Sequence, residues 1–75
     1  MKTFTEAKLE AIAILKSEPA DNGIHFAWIQ TKIRYATEMT EESMLTIRKT
    51  KPSGLTDESA MFDVAKMIHT IMKKK

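Results

Sequence analysis

The chain reads as a mainly α domain of about four helices, ending in a long C-terminal helix. Three observations carry that reading. Apolar residues recur at three- and four-residue steps toward both ends of the chain. Capping residues open both of those runs. Turn formers concentrate in only two places, "SEPADNG" (Ser17 to Gly23) and "KPSG" (Lys51 to Gly54). Seventy-five residues make a single domain over 1–75, and a chain this short buries only about 60–65% of its unfolded surface, so its core is small.

The first helix is predicted from about Phe4 to Ser17. Thr3 and Glu6 have the capping-box spacing, in which hydroxyl and carboxylate each satisfy the other residue's amide. Ala7, Ala11, Ile14 and Leu15 form one stripe, with Phe4 at its start and Ile12 beside it, leaving Lys8, Glu10 and Lys16 to solvent. Pro19 stops the helix, and Pro19, Asp21, Asn22 and Gly23 make the turn.

The middle block, Ile24 to Lys51, admits two readings. Ile24, Phe26, Trp28, Ile29, Thr31, Ile33, Tyr35 and Thr37 are β-branched or aromatic, a composition strands prefer. Yet Phe26, Ile29, Ile33 and Ala36 also step by three and four. A strand would have to switch its buried face near Trp28, which takes a bulge; a helix needs no switch. Thr40 with Ser43, and the acids Glu41 and Glu42, make a second helix start, with Met44, Ile47 and Lys51 on one side and Leu45 flanking. The helical reading is preferred; the alternative is an α+β chain built as helix, β-hairpin, helix.

The last helix is predicted from Asp57 to about Lys73. Thr56 is its N-cap, and Asp57 and Glu58 occupy the first turn, where the helix dipole favours anions. Met61, Val64, Ala65, Ile68, Ile71 and Met72 form the stripe, Asp63, Lys66 and Thr70 face away, and Lys73, Lys74 and Lys75 complete the negative end.

The order of these elements from about Phe4 to Leu55 resembles the opening of a helix-turn-helix or winged-helix domain. Two departures stand out. The tight turn, where such domains often carry glycine, falls on Met39 or Thr40. After "PSGL" the chain enters a long helix where a winged domain would place its hairpin.

Composition narrows the function. There is no cysteine, which excludes a disulfide and a thiolate metal site. Glu6 and Glu10 interrupt the start, so it does not read as a secretory signal, and no run approaches the ~18 apolar residues of a membrane span. A cytoplasmic protein with no membrane partner is expected. His25 and His69 lie in different blocks without a supporting catalytic or metal-binding motif, so neither an enzyme nor a cofactor is expected.

Two binding chemistries remain. Net charge is +2, and residues 31–54 hold five bases against three acids. In the helix-turn-helix reading the second central helix, Thr40 to Thr50, lies in a groove of nucleic acid. Arg48, Lys49 and Lys51 then contact phosphates or bases, Lys32 and Arg34 flank them, and Thr46 lies among them. Against this, the reading turn carries Glu41 and Glu42. The aromatics Phe26, Trp28 and Tyr35 could stack bases if displayed on a sheet, but a chain with one tryptophan needs it in the core. The second chemistry is protein contact. Among six methionines, Met67 falls off the main stripe of the last helix, as does Phe62, and with Ile71 they suggest a partner interface. The preferred function is a small nucleic-acid-binding regulator that dimerises through the last helix. The alternative is a protein-interaction module, an inhibitor or adaptor, without nucleic acid.

Overall fold

In a computed structural model of the chain, residues 2–18 and 23–73 are described, Ile24 by its backbone alone. The turn formers Pro19, Asp21 and Asn22 and the terminal Lys74 and Lys75 lie outside the described residues. Four helices follow in order: α1 (Phe4–Ser17), α2 (Gly23–Glu38), α3 (Glu41–Ile47) and α4 (Asp57–Lys73). No strand occurs among the described residues, so the hairpin alternative is excluded. The reason is the burial pattern of α2. Ile29 and Ala36 are buried and Ile33 packs against the core, at steps of four and three that share one face of a helix, whereas a strand would turn Ala36 away from Ile29 and Ile33.

Three N-termini are fixed by hydroxyl residues. In α1 the Glu6 amide donates to Thr3 Oγ1 (3.2 Å) and the Thr3 amide donates to Glu6 Oε1 (2.9 Å). The Thr3 backbone bond, followed by the bond from its side chain, holds the Glu6 carboxyl below its ordinary range. In α3 the same reciprocal box joins Thr40 and Ser43, at 3.1 and 3.0 Å. At α4 the Ser59 amide donates to Thr56 Oγ1 (3.1 Å). Each such cap is worth roughly 1 kcal/mol.

Helix α4 is the centre of the molecule, packing against α1, α2 and α3. The core is rich in alanine: Ala7 and Ala11 of α1, Ala36 of α2 and Ala65 of α4 share one cluster with Leu15, Met39, Met44, Val64, Ile68 and Ile71. Methyl-sized side chains at the crossings let helix axes approach closely, and that leaves several larger apolar groups outside. Ile14, expected on the buried stripe, is 41% exposed, and Phe26 is 51% exposed. The main cluster takes only Ile33, Ala36 and Met39 from α2, all from its C-terminal half and the residue just beyond, so the aromatics of its first turns stay at the rim. Trp28 is accordingly half-buried and stands outside that cluster.

Two connections set the position of α3. Met39 and Thr40 alone link α2 to α3, and Lys8, expected in solvent, reaches across from α1 to donate its ammonium to the Met39 carbonyl (3.0 Å). After Ile47 the chain tightens: the Lys49 amide bonds Thr46 O (3.2 Å), and Thr50 bonds Ile47 O through both its amide (3.0 Å) and its hydroxyl (2.7 Å). The expected helix to Thr50 therefore stops at Ile47, because Thr50 occupies the Ile47 carbonyl and Pro52 disfavours helix at Lys51. The second break turns at Gly54, whose φ of 78° is strained for any residue with a Cβ.

Candidate functional site

Helix α3 packs on α4 and scarcely touches α2. In a helix-turn-helix unit the two central helices brace each other. Here the short link is kept but the brace is not, and α3 borders two surfaces of opposite chemistry.

The first is a basic corner at the end of α3. Arg48 is the C-cap residue, Lys49 follows it in the turn, and Lys51 lies just beyond. All three are exposed, and none of them pairs with an acid among the described residues. His69, half-buried on α4, belongs to the same corner. Its burial holds its imidazole below the ordinary range, and the positive charges of Arg48 and then Lys73 push the same way. His69 and Lys73 are four residues apart and so share a face of α4.

Two of the other predicted bases do not join this corner. Lys32 is mostly covered, pairs with Asp63 (3.7 Å), and holds its ammonium 5.7 Å from the centre of the Trp28 ring. Asp63 precedes His69 by six residues, a rotation of roughly 240° around the helix, so Lys32 and Arg48 address different sides of α4. Arg34 is exposed, with its guanidinium 5.1 Å from the ring centre of its neighbour Tyr35. Thr46 donates to the Glu42 carbonyl (3.0 Å) and lines the second surface.

That second surface is a groove of about 510 Å³ between the end of α2, α3 and the first turns of α4. Tyr35, Met39, Ile47 and Met61 form its apolar part, and Glu38, Glu42, Thr40, Ser43 and Thr46 its polar part. Sequence reading missed this groove altogether. Its apolar residues come from three helices, and only the standing-off of α3 from α2 brings them into one place.

The predicted partner interface on α4 divides. Ile71 is 4% exposed and belongs to the core, so it offers a partner almost nothing, and this part of the expectation is corrected. Its place on the helical stripe already pointed that way. Met67 is half-buried and packs against the core; Phe62 is also half-buried. Met67 shares a shallower groove with the exposed Ile14, flanked by Lys32, Asp63 and Lys66. Among the described residues no helix is long and apolar enough to cross a membrane. No known protein family, curated protein or solved structure matches this chain.

Proposed function

We propose that this protein binds nucleic acid by gripping phosphates with the corner where α3 ends. One observation carries the reading: Arg48, Lys49 and Lys51 are exposed within four residues, unpaired among the described residues, beside His69 and Lys73. Exposed bases without compensating carboxylates are the groups that displace counterions from a phosphate backbone. The mode differs from the one the sequence suggested. A seven-residue helix spans only about 10 Å, and its first turn holds Glu41 and Glu42. Carboxylates there repel phosphate and could accept only from the amino groups of cytosine or adenine. Contacts from the other end of α3 fix position on a strand and carry no base information, so binding should tolerate sequence. A regulatory role and pairing of two chains, across the side of α4 that carries Met67, belong to the same proposal. Pairing would double the phosphate contacts.

Fluorescence anisotropy with labelled duplex and single-stranded DNA tests this, with the mass of the free chain recorded by sedimentation. Unrelated duplexes should bind alike, and the R48A/K49A/K51A variant should lose at least about tenfold in affinity at low salt. Undiminished binding by a folded triple variant would remove the corner from the account.

A further inference from the structure

We infer that the groove between α2 and α3 docks an apolar segment of a partner protein flanked by lysine or arginine. The inference is independent of nucleic-acid binding, since it concerns other residues of α3 and the opposite charge.

The groove is built into the chain. The two-residue link would let α3 fold back on α2, but α3 is tied instead to α4 by Met44, and Lys8 fixes the link by its bond to the Met39 carbonyl. The helices diverge from that point. Tyr35, Ile47 and Met61 are left half-buried, an incompletely covered apolar wall. Methionine in such a wall adapts to side chains of different shape. The volume, about 510 Å³, is within the ~300–1,000 Å³ of sites that enclose whole ligand groups.

Charge selects the occupant. Glu38 and Glu42 stand exposed at the groove, and neither pairs with a base among the described residues. In a chain of net charge +2, the two unpaired carboxylates beside apolar side chains outnumber the Arg34 guanidinium, which lies 5.1 Å from the Tyr35 ring centre, and leave a local negative lip. A phosphate backbone is repelled there. An amphipathic segment that places leucine-like anchors in the groove and its lysines or arginines against the two carboxylates satisfies both features, the helix-in-groove mode of recognition. Thr46 lines the groove with its hydroxyl already given to the Glu42 carbonyl, so it asks for no hydrogen bond from the segment.

The test uses the ¹⁵N-labelled full chain titrated with a 14-residue peptide of leucine and lysine, leucines spaced by three and four. Its leucine–glutamate counterpart serves as the contrast. The lysine peptide should shift the amides of Tyr35, Glu38, Thr46 and Met61, and the glutamate peptide should not. E38Q/E42Q should weaken binding about two- to thirtyfold, two exposed pairs at ~0.2–1 kcal/mol each, while E18Q/E58Q, with the same net charge, should leave it unchanged. T46W should block the groove while α3 stays folded by circular dichroism. Equal weakening by E18Q/E58Q, shifts gathered elsewhere on the molecule, or a duplex oligonucleotide that moves the same four amides would each overturn the inference.

Discussion

Replacing Met44 with alanine would test how α3 is held. A seven-residue helix is far below the ~12–15 residues at which isolated helices become even marginal, so α3 exists by packing and capping. Met44 is its one buried side chain, 1% exposed, within a cluster that includes Val64 and Ile68 of α4; Ile47 adds a partly buried contact. Truncating a buried methionine to alanine costs about 2–5 kcal/mol through lost transfer energy and the cavity left behind. A chain of 75 residues, at ~0.05–0.15 kcal/mol per residue, has roughly 4–11 kcal/mol in all. The substitution therefore removes a large share of the total, and at ~4–8 °C per kcal/mol the melting temperature falls by about 10 °C or more. Urea unfolding followed in parallel by circular dichroism and Trp28 fluorescence gives the free energy. Amide exchange at Met44 to Lys49 tells whether α3 opens alone or with the rest. A loss below about 1 kcal/mol with unchanged exchange would refute the claim that Met44 anchors α3.

Other expectations rest on the same geometry. Thr40→Ala breaks the reciprocal cap with Ser43 and should cost about 1 kcal/mol in the same urea experiment, with Thr40→Gly costing less. Lys8→Met keeps the aliphatic stem but strips the bond to the Met39 carbonyl, so a loss of about 1–2 kcal/mol is expected, and Lys8→Arg should restore part of it. Because the His69 imidazole lies below its ordinary value in the folded chain, the unfolded chain binds more protons as pH drops below about 6.5. The His69 contribution to stability is then constant above that pH and declines as pH falls from there through the folded value. In Arg48→Ala an NMR titration should find His69 moved upward, toward the ordinary range, since one of its positive neighbours is gone.

Much of the fold was legible in the sequence because its signals are local. The Thr3–Glu6 box and the stop before Pro19 bound α1 at Phe4 and Ser17, and Thr56 with the acids after it opens α4 at Asp57. The middle was ambiguous because β-branched residues and helical spacing coincide in α2, and only packing chooses between them. What stayed hidden is tertiary. Nothing local says that alanines would fill the crossings and leave Phe26 and Ile14 exposed, or that Lys32 would be held by Asp63 against Trp28. The candidate site shows the same division. Arg48, Lys49 and Lys51 lie within four residues of sequence and so were found; His69 and Lys73 join them only because α3 lies on α4. The groove of Tyr35, Ile47 and Met61 depends on α3 leaning away from α2, which no run of residues records.

The salt dependence of duplex binding tests the phosphate grip most directly. Three contacts from Arg48, Lys49 and Lys51 predict that the logarithm of affinity falls with the logarithm of salt at a slope of about −2.7, and that R48A/K49A flattens it by about 1.8. Equal slopes for the two chains would contradict it, since the lost charges would then have displaced no counterions.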